Sequence, residues 1–95
     1  MAIVTTDAAL GPYGYVDSGA YLSVLLLAAQ SLGIAAVPQA AIAMYSDLVR
    51  QHFDLPEDRL VLLGVSFGYA DVEHPVNQFR TTRASVSEAV RRVGG

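Results

Sequence analysis

The chain has 95 residues, a formal net charge of −3, no cysteine and an apolar fraction of 53%. This length suits a single domain, which we expect to span residues 1–95. The missing cysteines exclude disulfides, thiolate metal sites and cysteine nucleophiles. The acidic balance argues against general nucleic-acid binding, which needs a clustered positive surface.

The first ten residues, MAIVTTDAAL, contain neither the basic region nor the apolar core of a secretion signal. The long apolar run further on is interrupted by Ser23, Gln30, Ser31 and Gly33. It therefore falls short of the roughly 20 apolar residues that a membrane span needs. We expect a soluble, cytoplasmic protein that makes no contact with membranes.

The chain begins with a short β-branched segment, Met1 to Thr6, which predicts one end of a strand. The following GPYGY, Gly11 to Tyr15, has the composition of a turn that carries two aromatic rings. Two interpretations of Tyr13 and Tyr15 remain open. The rings cover the edge of the core, or they line a pocket on a loop held by a rigid scaffold.

The stretch from Ser18 to Val37 predicts a long apolar helix with a stop at Gly33 and a short apolar exit. Asp17 and Ser18 are the candidate N-caps. One face predicted to be buried contains Leu22, Leu25, Leu26, Ala29 and Leu32, and a second apolar face contains Tyr21, Val24, Leu27 and Ala28. Because a helix that is apolar nearly all round must be enclosed, we expect a partner subunit to cover it.

The second half of the chain predicts a short helical turn from Pro38 to Met44 and then a helix, Asp47–Phe53, capped by Ser46. Leu48, Val49 and Phe53 are expected to face inward. The segment Arg59 to Phe67 predicts a strand that is covered on both faces, since Leu60 to Leu63 is continuously apolar.

The C-terminal part predicts an irregular polar connection from Gly68 to Phe79. Ser85 and Glu88 then fit a capping box that opens a last helix reaching about Val93.

Most of the common catalytic patterns are missing. His52 and His74 lack metal-ligand spacing, and Ser18, Ser23 and Ser66 lack the surroundings of a nucleophile elbow. There is also no GxGxxG or Walker motif. These observations disfavour a serine hydrolase, a metalloenzyme and a dinucleotide-binding domain of the Rossmann type.

Two features remain as candidate sites. Small side chains cluster from Gly33 to Ala41 beside a helix end, where a flat ligand could lie against the backbone; simple close packing is the alternative. Arg80 and Arg83 lie in a threonine-rich segment, RTTR. Paired guanidinium groups with nearby hydroxyls suit a phosphate dianion, and a solvated surface pair is the alternative.

Three ordered stretches together resemble the C-terminal half of the FMN-dependent nitroreductase family. They are DSGAYLSVLLLAAQSLGIAAVPQAA, LPEDRLVLLGVSFGYAD and HPVNQFRTTR. The resemblance extends from Thr5 to about Val93 and implies an α+β, nitroreductase-like fold. It also implies an NAD(P)H-dependent flavoprotein that transfers two electrons to nitroaromatic or quinone-type acceptors. The arginine-rich motif of the family's N-terminal half has no counterpart in this sequence.

The resemblance also implies roles for particular residues. The backbone around Pro38, Gln39, Ala40 and Ala41 would face the isoalloxazine ring of FMN. Arg83, with Arg80, would hold its phosphate, and Tyr13 and Tyr15 would lie near the substrate or the subunit interface. The expected assembly is a homodimer, or a complex with a complementary chain. The alternative is a truncated, non-catalytic module for oligomerisation or flavin binding that needs a second chain.

Overall fold

The computed structural model describes residues 1–94, which form a three-stranded sheet with helices on both faces. The strands are β1 (Ala2–Asp7), β2 (Ala35–Gln39) and β3 (Arg59–Gly68), and the helices are α1 (Pro12–Ser31), α2 (Ser46–Phe53) and α3 (Val86–Ala89). Short 3-10 helices occupy Ala8–Leu10, Ala40–Tyr45 and Pro75–Gln78. The α+β class predicted from the sequence is confirmed.

The long strand β3 lies in the middle of the sheet, in the order β1-β3-β2, and both pairings are antiparallel. Val4 pairs with Leu63 but Thr5 pairs with Val61, so Leu62 is an extra residue on β3 and forms a bulge. Val65 on this strand is completely buried. Both the first strand and this central strand agree with the sequence prediction to within one residue at each end.

Each face of the sheet is covered by a different element. On one face α1 lies so close that a Cβ atom at Gly14 would come within 2.6 Å of Thr6 Oγ1. On the other face, a Cβ atom at Gly64 would lie 2.9 Å from Ile42 Cγ1, in the Ala40–Tyr45 turn. Because successive strand residues face opposite sides, helix and turn cover the two sides of the same sheet. The prediction that β3 is covered on both faces is confirmed.

Helix α1 begins earlier than predicted. Its N-cap is Gly11, with φ of 56°, and Pro12 occupies the first turn, where its fixed φ favours the helix. The GPYGY segment is therefore helical, and the prediction of N-caps at Asp17 and Ser18 is wrong. The Ser18 hydroxyl instead donates to the Gly14 carbonyl oxygen, 2.7 Å away, one turn back in the helix.

The predicted end of α1 is correct. Gly33 has a positive φ of 74°, and the Ile34 N–H donates to the Ala29 carbonyl oxygen over 2.9 Å, closing the helix. The following exit is not irregular, because Ala36 pairs with Phe67 and Val37 with Ser66. The helical turn predicted from Pro38 therefore starts two residues later, at Ala40.

Helix α2 differs from its prediction at its start and in its orientation. Ser46 is its first residue, and Tyr45 is the N-cap without a side-chain hydrogen bond. Leu48 and Phe53 are 64% and 52% exposed, so only Val49 of the three residues expected to face inward is half-buried. Tertiary placement thus leaves apolar side chains of this short helix in contact with solvent.

The capping box at Ser85 and Glu88 is confirmed, but α3 covers only Val86–Ala89. The helix does not reach Val93, because Val90 already has an extended backbone with φ of −127°. All of residues 69–94, which we call the C-terminal arm, are exposed. Neither α3 nor the Pro75–Gln78 turn packs extensively against another element.

Helix α1 buries little of its apolar surface. Of the face predicted to be buried, Ala29 is buried, Leu22, Leu25 and Leu26 are half-buried, and Leu32 is exposed at the helix end. On the far side lies an outer stripe of residues that are between 66% and 77% exposed: Tyr13, Val16, Val24 and Leu27. Within residues 1–94, no helix combines the length and apolar character required to cross a membrane.

Candidate functional site

The four residues Pro38 to Ala41 join the end of β2 to the Ala40–Tyr45 turn. Pro38 lies opposite the buried Val65 in the sheet, and its ring restricts the backbone at this point. Gln39 caps the turn with extended dihedrals, and its side chain accepts no hydrogen bond from the turn. Ala40 and Ala41 are exposed. The result is an open backbone corner whose next two side chains are methyl groups.

The side chain of Gln39 is held from the neighbouring strand. The Ser66 hydroxyl donates to Gln39 Oε1 over 3.2 Å. The sequence analysis considered Ser66 only as a nucleophile and missed this contact. The alternation of side chains along β3, combined with the pairing of β3 with β2, would have predicted the contact between Ser66 and Gln39. The sequence analysis did not predict β2.

Arg80 and Arg83 both lie on the C-terminal arm and bond only to neighbouring oxygen atoms. Arg80 Nη1 donates to the carbonyl oxygens of Asn77 and Phe79, each over 2.8 Å. Arg83 Nη1 donates to Thr81 Oγ1 and to the Thr82 carbonyl oxygen. Neither arginine is paired with a carboxylate among residues 1–94. Their charge is therefore available to an external anion.

The predicted site residues form separate groups. Residues 38–41 span the end of β2 and the start of the Ala40–Tyr45 turn, the two arginines belong to the arm, and Tyr13 and Tyr15 lie in the first turn of α1. No hydrogen bond joins these groups within the described part of the chain.

A groove of about 410 Å³ lies between β1 and α1. It is lined by the four strand residues Ala2, Ile3, Val4 and Thr5 and by four helix residues, Asp17, Ser18, Tyr21 and Leu25. None of the predicted site residues lines it. The structured residues also contain no cluster of three or more His, Asp or Glu side chains arranged for a metal ion.

The fold and the open corner at β2 define an α+β protein with a small three-stranded sheet, one long apolar helix and a backbone site beside it. The model of the nitroreductase family matches residues 2–69, which is more than half of the chain. The chain belongs to the nitroreductase family.

Individual relatives agree with this assignment. The nitroreductase NfnB of Mycolicibacterium smegmatis is 45% identical over 75 residues, which cover 79% of this chain and 32% of NfnB. The 4-nitrobenzoate reductase of Pseudomonas putida is 35% identical over 81 residues, covering 85% of this chain and 36% of the reductase. The chain spans about a third of the length of the curated relatives it matches.

Two crystal structures show the same fold. One is the FMN and NADPH-dependent nitroreductase NfnB from Sphigopyxis sp. strain HMH, with a TM-score of 0.92 and 30% identity over 98% of this chain and 42% of that protein. The other is the FMN-dependent NfnB from Mycobacterium smegmatis in complex with NADPH, with a TM-score of 0.76 and 42% identity over 84% of this chain and 36% of that protein. The nitroreductase-like fold expected from the sequence is confirmed.

Proposed function

We propose that this chain is part of an FMN-dependent NAD(P)H oxidoreductase that reduces nitroaromatic or quinone-type acceptors by two electrons. One observation carries the proposal: 98% of the chain superimposes, with a TM-score of 0.92, on a nitroreductase described as FMN and NADPH-dependent. The 45% identity to a second nitroreductase supports it. We place the protein in the cytoplasm, where NAD(P)H is available as the reductant.

We further propose that residues 1–95 are one structural unit equivalent to the C-terminal half of a nitroreductase domain. The order of the stretches that end in VPQAA, GYAD and RTTR supports this placement. So does the single sheet, to which all three strands contribute. On this proposal the rest of the flavin site comes from a second polypeptide in the assembly, either another copy of this chain or a complementary chain.

The chain offers hydrogen-bond donors for the ring of FMN and positive charge for its phosphate. The N–H groups of Ala40 and Ala41 receive no side-chain cap from Gln39, so they are free to bind acceptor atoms at a ring edge. The methyl side chains of these alanines leave room for a flat ring. Arg80 and Arg83 carry charge that no carboxylate in residues 1–94 neutralises, which suits a phosphate.

The chain's own residues have binding and orienting roles in this proposal. Bound FMN supplies the two-electron chemistry between NAD(P)H and the acceptor. The backbone from Pro38 to Ala41 positions the ring, and the two arginines bind the phosphate. Tyr15 offers an exposed ring on which an aromatic acceptor can stack, and Tyr13, which belongs to the outer stripe of α1, would lie where the substrate side meets the subunit interface. No acid–base triad is needed, because the protein binds and orients the reactants.

We propose a homodimer as the working assembly. The outer stripe of α1 is exposed and apolar, and a second copy of the chain can cover it. A small-molecule electron acceptor is the other partner. A complementary polypeptide that supplies the missing part of the site is the alternative to a second copy.

The proposal is tested by titrating FMN into the purified chain and following quenching of flavin fluorescence. Binding, with the flavin retained through gel filtration and reduced by added NADPH, is the expected result. A folded oligomer that remains colourless would instead favour the non-catalytic module that needs a second chain. A folded chain that binds FMN without being reduced would contradict the oxidoreductase activity.

The phosphate assignment is tested by Arg83→Ala. Loss of one charge-assisted contact is expected to weaken FMN binding by about tenfold or more. Riboflavin, which lacks the phosphate, should bind the variant and the wild type equally. Arg92→Ala is the matched control, because it removes the same charge from an exposed position further along the arm. Equal losses in both variants would remove Arg83 from the site.

A further inference from the structure

Ser66 and Gln39 form a side-chain link between the two strands that border the proposed flavin site. Ser66 lies near the end of β3, and its hydroxyl donates to Gln39 Oε1 over 3.2 Å. Gln39 is the last residue of β2 and the first of the corner at which the alanine N–H groups become available. The link therefore acts on the residue that directs the backbone into the site.

The sheet register explains why this link forms. Gln39 lies opposite Gly64, which has no side chain, and the space beside Gly64 is filled by Ile42 and Met1. The glutamine side chain therefore extends along the strand instead of across it. Ser66 is two residues beyond Gly64 and faces the same side, since side chains alternate along a strand. Its direct partner, Val37, is apolar and cannot compete for the hydroxyl.

In the structure this hydrogen bond leaves one end of the glutamine amide free. Because Oε1 accepts from Ser66, the Nε2 group is the end that remains, and no protein acceptor within residues 1–94 contacts it. Without the serine, this contact no longer holds the amide group, which is then free to rotate away from the corner. The structure thus presents a neutral donor, Nε2, next to Ala40 and Ala41, on a side chain that Ser66 holds in place.

We propose that Ser66 is a positioning residue that orients Gln39 so that its Nε2 group donates to an acceptor atom of bound FMN. This inference rests on the proposed function, because it requires FMN at residues 38–41. A donor fixed before binding costs less conformational entropy than one that must be ordered by the ligand. Ser66 contributes to affinity through Gln39 and does not itself contact FMN.

A purely structural role would give a different result. Both residues lie at the surface end of the sheet, where a single hydrogen bond contributes little to folding stability. Ser66→Ala is therefore expected to shift the melting temperature by less than about 4 °C. An effect on FMN binding without a large shift in melting temperature separates positioning from folding.

The experiment measures FMN dissociation constants for wild type, Ser66→Ala, Ser66→Thr, Gln39→Ala and the double alanine variant. Ser66→Ala is expected to bind FMN about three- to tenfold more weakly. Ser66→Thr, which keeps the hydroxyl, should restore the wild-type constant. The double variant should bind no more weakly than Gln39→Ala alone, since the serine acts only through the glutamine.

A second measurement does not depend on FMN. Nitrogen-15 relaxation of the Gln39 side-chain amide should report an ordered group in the wild type and a mobile one in Ser66→Ala. If wild type binds FMN and Ser66→Ala binds equally well, this inference is wrong while the proposed function stands. If the amide is equally mobile in both proteins, the link itself is refuted. A folded wild type that binds no FMN overturns both proposals.

Discussion

Gly14 is the residue at which α1 comes closest to the sheet. An added Cβ atom would lie 2.6 Å from Thr6 Oγ1 and 3.1 Å from Leu10 Cβ. Thr6 is itself buried on β1, so its side chain has little space to withdraw. Contact between a helix and a sheet at this distance requires the absence of a side chain. Because Gly14 has only a hydrogen atom in place of a side chain, α1 can lie this close to β1.

We predict that Gly14→Ala destabilises the chain by about 1–3 kcal/mol, because overpacking forces the helix away from β1. The free energy of unfolding in urea measures this effect. Gly19→Ala is the matched control within the same helix, since its Cβ atom would meet nothing within 4 Å. It is expected to stabilise by about 0.5–1 kcal/mol through higher helix propensity. Equal effects at the two positions would contradict the close approach.

At the scale of elements, the four-residue helix α3 is too short to be stable through its own backbone hydrogen bonds. Its start is held by a reciprocal capping box. The Ser85 N–H donates to Glu88 Oε2 over 2.7 Å, and the Glu88 N–H donates to Ser85 Oγ over 3.3 Å. The hydrogen bonds from the Ser85 backbone and then its side chain lower the pKa of Glu88 below its ordinary value.

We predict that α3 unwinds on acidification. A carboxylate whose pKa is lower in the folded than in the unfolded state stabilises fully above the unfolded pKa. That contribution is lost as the pH falls through the lower, folded pKa. The Ser85 amide chemical shift should follow this titration, with a midpoint below that of an ordinary glutamate. Glu88→Gln should abolish this transition, whereas the control Glu57→Gln should leave it in place. A Ser85 amide shift that does not change with pH would refute the capping box.

The whole molecule is more extended than a compact domain of its length. Its radius of gyration is 16.8 Å, whereas a compact domain of this length is expected to have about 12–13 Å. Every residue of the C-terminal arm is exposed, and so is the outer stripe of α1. In the homodimer proposed above, a second copy would cover the large apolar side chains that a single copy leaves exposed.

We predict that Leu27→Glu converts a dimer into a monomer. The leucine is 72% exposed in the single chain, so the substitution has little effect within one copy. In a dimer it would bury a charge without a partner, which costs several kcal/mol. Light scattering after gel filtration should report half the wild-type mass. The control Gln51→Glu adds the same charge at an exposed position of α2 and should leave the mass unchanged. If the Leu27→Glu variant is still a dimer, the outer stripe of α1 is not the interface.

The sequence by itself determined the elements whose signals are local. The apolar run of β3, the stop of α1 at Gly33 and the capping box at Ser85 each depend on residues within a few positions of one another. The family resemblance was also readable, since the ordered stretches carry it without any structure. The site residues at 38–41, 80 and 83, with Tyr13 and Tyr15, remain predictions that the binding experiments will decide.

Only the tertiary structure decided features that depend on distant partners. Residues 35–39 look like a helix exit, yet they form β2 because β3 offers free hydrogen-bonding groups along its edge. Leu48 and Phe53 are expected from the sequence to face inward, but the placement of α2 on the sheet leaves both exposed. The link from Ser66 to Gln39 joins residues 27 positions apart, so strand pairing alone creates it. Local pattern specifies what a segment can form, and the available neighbours decide what it does form.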